Sequence, residues 1–113
     1  MTDRELLELA AKAAGIDWDA QMDNGTIVIA AEAPEFWDPL TDDGDALRLA
    51  VKLGLLVDCD SVVLQGCQVE AVSGMSSHED NYVHILEKYG NDPYAATRRA
   101  IVRAAAEIGR KKK

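Results

Sequence analysis

Three groups of residues in this 113-residue chain have types and spacings that bear on chemistry. The first is Asp42-Asp43-Gly44-Asp45, a carboxylate cluster of the kind that holds calcium. An EF-hand loop takes ligands from positions one, three and five and glycine at six. With Gly44 at six, position one falls on Pro39, whose side chain cannot ligate, so the cluster reads as a charged helix start. The second group is Asp58, Cys59, Asp60, Cys67, His78 and His84, residue types of a zinc or iron site. Structural zinc takes four Cys or His ligands in short pairs such as C-x-x-C. Cys59 and Cys67 stand eight apart with no second pair, and read as small core residues on neighbouring strands. No metal and no other cofactor is expected. The third group is Ser76-Ser77-His78-Glu79-Asp80, which holds a hydroxyl, an imidazole and carboxylates, the parts of a nucleophilic site. No G-x-S-x-G elbow, cysteine-hydrolase signature or glycine-rich phosphate loop accompanies it. No catalytic residue is therefore assigned, and the chain reads as a non-enzyme. His84, inside a strand pattern, reads as a partly exposed sheet residue.

The elements that would position these residues follow from local signals. Thr2 and Glu5 make a T-x-x-E capping box ahead of a helix over 2–14, with Leu6, Leu9, Ala10 and Ala13 at helical spacing and Gly15 as its stop. Asn24-Gly25 is a favourable hairpin turn, followed by a strand over Thr26–Ala30. Pro34 and Pro39 bracket a loop with Phe36 and Trp37 beneath it. Thr41 starts a second helix over 42–53, and its wide apolar arc predicts the most buried helix of the three. Strands are expected over Leu55–Cys59, Ser61–Gln65, Cys67–Val72 and Tyr82–Leu86, with Asp60 and Gly66 as breaks. Tight turns between them favour antiparallel pairing. Asp92 caps a last helix, Pro93 fills its first turn and Gly109 ends it. Tyr94, Thr97, Ile101, Ala104 and Ile108 share one face of that helix; Arg99, Arg103 and Arg110 share the other.

Charge is distributed unevenly. Residues 1–97 carry 19 acidic and 5 basic side chains, residues 98–113 carry 1 and 7, and the whole chain has a net charge of −8. An acidic body repels phosphates, so direct nucleic-acid binding is not expected. The arginine stripe either grips an acidic partner or is the solvated, internally neutralised face of an amphipathic helix. Two cysteines in a chain of this length point to a reducing cytosol. The acidic start lacks the pattern of a signal peptide, and no apolar run approaches the ~20 residues a membrane helix needs.

The run Trp37-Asp38-Pro39-Leu40-Thr41-Asp42-Asp43-Gly44-Asp45-Ala46-Leu47-Arg48-Leu49, with Arg98-Arg99-Ala100-Ile101-Val102-Arg103-Ala104-Ala105 far downstream, resembles small phage and prophage proteins of unknown function, the phage αβα-sandwich family and the NinX-like group. The N-terminal helix is a third shared segment; residues 16–35 and 58–90 are unmatched. The resemblance implies a layered fold and a phage-encoded origin, and it carries over no catalytic residue.

Together these readings give one α+β domain over 1–109 with a basic tail over 110–113. The expected architecture is a small layered sandwich, with N-terminal, middle and C-terminal helices packed on three to five antiparallel or mixed strands. The expected role is a protein-binding accessory protein of the bacterial host's cytoplasm, monomeric or homodimeric, acting on a host or phage protein without membrane contact. Trp18, Phe36, Trp37, Arg99, Arg103 and Arg110 are the candidate partner-binding residues. The alternatives are an acidic decoy for a nucleic-acid-binding protein, and a small-molecule binder or enzyme using residues 76–84.

Overall fold

Each helix opens where its first-turn N–H groups find an oxygen. In the computed structural model, which describes residues 2–16, 19–23, 26–29, 35–60, 62–72 and 82–111, the first helix, α1, spans Asp3–Ala14. Its capping box is complete: the Glu5 N–H donates to Thr2 Oγ1 at 3.2 Å and the Thr2 N–H donates to the Glu5 carboxylate at 3.4 Å. Gly15 ends it at φ +71°, the left-handed conformation that only glycine adopts cheaply. The second helix, α2 (Asp43–Leu53), starts one residue later than the sequence suggests, because Asp42 and not Thr41 accepts the Asp45 N–H, at 2.7 Å. The third, α3 (Pro93–Lys111), opens on Asp92, whose carboxylate takes the N–H groups of Tyr94 and Ala95, both at 3.1 Å.

Among the described residues six strands form two three-stranded sheets, antiparallel throughout. The first sheet orders β1 (Asp19–Asp23), β2 (Thr26–Ile29) and β3 (Glu35–Trp37). Asp23 faces Thr26, a register that suits the two-residue turn expected there, although Asn24 and Gly25 themselves lie outside the described residues. The second sheet orders β4 (Leu56–Asp60), β5 (Gly66–Val72) and β6 (Tyr82–Lys88). The protein is thus a small α+β domain.

Residues 62–65 of one expected strand form a turn; Ser61 lies outside the described residues. Ser61–Gln65 has β-branched content, but the Asp60 carboxylate accepts the N–H groups of Val62 and Val63, each at 2.9 Å, and curls the chain at once. These bonds hold the Asp60 carboxyl below its ordinary pKa. Gln65 takes φ +49°, and its carbonyl accepts the Tyr89 N–H, which fastens the turn to the end of β6. Val62 and Val63 are left exposed at its tip.

The core is assembled around α3. This helix packs on β5 and β6, and α1 and α2 pack on it in turn. One buried cluster joins Ala100, Ala104, Ala105 and Ala106 of α3 with Leu6, Leu7, Ala10, Ala11 and Ala14 of α1 and with Val69 and Val83 of the second sheet. Small side chains let helices approach closely, and burying Leu7 alone contributes about 2 kcal/mol. Gly109 does not end α3 as the sequence suggests. It is buried within the helix, and a Cβ there would lie on the Leu9 carbonyl group, so glycine is present because α1 crosses at that point. Nor is α2 the most buried helix: Ala46, Leu49 and Ala50 face the core, while Leu47 and Val51 are 64% and 73% exposed. Its apolar arc is wider than the surface of α3 that it covers.

Candidate functional site

The uncovered part of α2 borders a groove. One wall is α2, with Ala46, Leu47 and Ala50; the other is α3, with Pro93, Tyr94, Thr97 and Ile101. The floor comes from Val57 and Cys59 of β4 and from Tyr89, just past β6. Its volume is about 570 Å³, within the ~300–1,000 Å³ of ligand-sized clefts. The two helix starts set its shape. Arg98 donates from Nε to the Leu40 carbonyl at 2.8 Å and from Nη1 to Asp43 at 2.5 Å, fixing the first turn of α2 against α3. Leu47 and Tyr94, 64% and 71% exposed, stand on opposite sides of the opening.

The polar chemistry of the groove is sparse. Asp43 and Arg98 satisfy one another, which leaves the Cys59 thiol, the Tyr89 phenol and the Thr97 hydroxyl. Thr97 donates back to the Pro93 carbonyl at 2.8 Å. Loss of solvent, followed by the neighbouring Cys59, holds the Tyr89 hydroxyl above its ordinary pKa. Among the described residues the lining is mostly apolar, which suits apolar contact.

The residues singled out for metal chemistry are separated by the pleat of the second sheet. Cys59 and Cys67 lie opposite one another on β4 and β5, on the face toward α3, with their Sγ atoms 4.0 Å apart. Asp58 and His84 are on the other face, where Gln68 bridges them, donating to Asp58 at 3.2 Å and contacting His84 Nε2 at 2.8 Å. His84 is exposed, as its strand position suggests. His78 and the rest of 73–81 lie outside the described residues. Among the described residues no three His, Cys, Asp or Glu side chains come together as a metal group. In the carboxylate cluster, Asp42 caps α2, Asp43 holds Arg98, and Asp45 accepts the Asp38 N–H at 2.9 Å and pairs with Arg48 at 2.7 Å. Each carboxylate there has a structural partner.

The candidate partner-binding residues disperse. Trp37 is 5% exposed and belongs to the core, so its side chain is not presented to a partner. Trp18 and the side chain of Phe36 lie outside what the structure describes. The arginine stripe is engaged within the molecule: Arg99 with Asp3 at 3.2 Å, Arg103 with Glu87, and Arg110 with Glu107 at 2.6 Å. The groove was missed because its residues were read as core. The one available signal was an excess of apolar residues on α2 over what a helix of eleven residues can bury against a single neighbour. No described helix is long and apolar enough to cross a membrane. No family model matches the chain, and neither a curated protein nor a solved structure is found to match it.

Proposed function

We propose that this chain is a non-enzymatic protein-binding module, encoded by a phage or prophage and acting in the cytoplasm of the bacterial host, and that its partner docks on the groove between α2, α3 and β4. The observation that carries this reading is the apolar opening itself. Leu47 and Tyr94 stand 64% and 71% exposed at a cleft of about 570 Å³ whose Asp43–Arg98 ion pair is internally satisfied. Apolar surface left open at a concave site is a mark of an interaction surface, and tyrosine is a frequent anchor residue. A small-molecule site would need convergent polar groups to orient its ligand, and the groove holds few. The phage origin rests on the Trp37–Leu49 and Arg98–Ala105 segments. A layered sandwich of the kind the resemblance implies is supported by α3, which packs on the second sheet and also on α1.

Affinity capture from bacterial lysate, at low and high salt and after nuclease treatment, tests the reading when wild type is run beside Leu47→Asp and Tyr94→Ser. Both positions are exposed, so the variants keep the fold. The expected result is one stoichiometric protein, held at high salt by wild type and depleted at least tenfold by either variant. Equal capture by all three overturns the groove as the docking site. Nucleic-acid-binding proteins captured only at low salt would favour the acidic decoy.

A further inference from the structure

The pair of thiols carries an inference that does not depend on what the groove binds. Cys59 and Cys67 are register partners on adjacent antiparallel strands. Directly opposed residues in such a pair have Cα atoms ~4.5–5.5 Å apart, inside the ~4.4–6.8 Å span that a disulfide bridges. Their Sγ atoms already stand 4.0 Å apart, and rotation about the two Cα–Cβ bonds can bring them to bonding distance without breaking the ladder. The two differ in access: Cys59 is exposed at the floor of the groove and Cys67 is fully buried. An accessible thiol with a buried partner in reach is the arrangement of an attacking and a resolving cysteine.

We propose that Cys59 and Cys67 form a redox-reactive dithiol that closes to a cross-strand disulfide by exchange with a low-molecular-weight disulfide of the oxidised-glutathione class. The Cys59 thiolate attacks one sulfur of the oxidant; the S–S bond breaks, one thiolate leaves with the electron pair and takes up a proton, and a mixed disulfide remains on Cys59. Cys67, deprotonated in turn, attacks Cys59 Sγ and expels the second thiol. Two protein thiols are oxidised and one small disulfide is reduced to two thiols, so hydrogen atoms and electrons balance. The order of attack follows from environment: burial first, then the neighbouring Cys59, pushes the Cys67 thiol up to about 12, which leaves the opening step to Cys59. The product ties β4, the outer strand of its sheet, to β5 and removes a thiol from the groove floor.

The test is a time course of the full chain with oxidised glutathione in mildly alkaline buffer, read by intact mass and non-reducing peptide mapping. Wild type is expected to gain one glutathionyl group on Cys59, then to lose it and finish two hydrogen atoms lighter, with neither thiol open to alkylation. Cys67→Ala stops at the adduct. Cys59→Ser, a change at an exposed site that keeps the fold, gains no adduct. A wild-type chain that stops at the adduct, or that stays unmodified, overturns the proposal. So does a Cys59→Ser chain that reacts as fast as wild type.

Discussion

Replacing Gly109 by alanine sets two rules in opposition. Alanine is the better helix former by about 1 kcal/mol, so at an interior helical glycine the change is expected to stabilise. Here the added Cβ would fall on the Leu9 carbonyl, 2.8 Å from its carbon, and 3.3 Å from the Ala13 nitrogen. Carbon atoms in comfortable contact stay ~3.5–4.0 Å apart, so α1 must retreat from α3 by about 1 Å. The obstructing atoms are backbone, which no change of rotamer can clear. Overpacking of this kind costs roughly 1–3 kcal/mol, and because the obstruction is backbone the upper end applies. Subtracting the propensity gain leaves a destabilisation of about 2 kcal/mol, or a fall in Tm on the order of 10 °C for a domain of this size. Thermal and urea melts followed by far-UV circular dichroism measure it. Gly44→Ala is the matched control, since the nearest atoms to its Cβ are side-chain ends of Arg48 and Asp42, at 3.2 Å, rather than backbone. Gly109→Ala proving as stable as wild type would refute the close α1–α3 crossing.

Two other predictions rest on charge. The folded chain holds the Cys67 proton more tightly than the unfolded chain, whose thiol titrates near 9.0, so stability is full below pH 9 and declines from there toward about pH 12. The slope from this group is at most about 1.4 kcal/mol per pH unit; Cys67→Ala should flatten it in the same melts, and an unchanged alkaline slope would contradict the assignment. The Arg103–Glu87 pair joins α3 to β6 with side chains 38% and 21% exposed. A double-mutant cycle with Arg103→Ala and Glu87→Ala should give a coupling of about 1 kcal/mol that weakens with added salt, and no coupling would mean the contact is incidental.

Local signals in the sequence translated well into structure because the interactions behind them are local. Thr2 and Glu5, Gly15, and Asp92 with Pro93 each act within a single helical turn, and each sits where its chemistry places it. The Asp42-Asp43-Gly44-Asp45 cluster is likewise the charged helix start that its spacing indicated. What escaped the sequence depends on contacts between distant segments. Gly109 resembles a helix stop until the crossing of Leu9 is known, one hundred residues earlier in the chain. The exposed side of α2 follows from how much of it α3 covers, which no periodicity encodes. The pairing of Cys59 with Cys67 depends on the length of the turn between β4 and β5, and that turn was obscured by its own valines. Among the candidate partner-binding residues, Trp37 shows the limit of composition. A large aromatic beside prolines fits a docking surface or a core equally well, and only its 5% exposure separates the two.

The central place of α3 also bears on how the protein comes into being. Every element that packs on this helix, α1 and α2 on one hand and β5 and β6 on the other, is translated before it. At ~5–20 residues per second the nascent chain therefore spends several seconds with its earlier apolar faces made but without the surface they are shaped to meet. Its carboxylates, Asp3, Asp43 and Glu87 among them, wait for arginines that have not yet been made. Synthesis of residues 93–111 then supplies the missing hydrophobic surface and the missing counter-charge together. Collapse becomes favourable when the helix on which the other elements pack has been made.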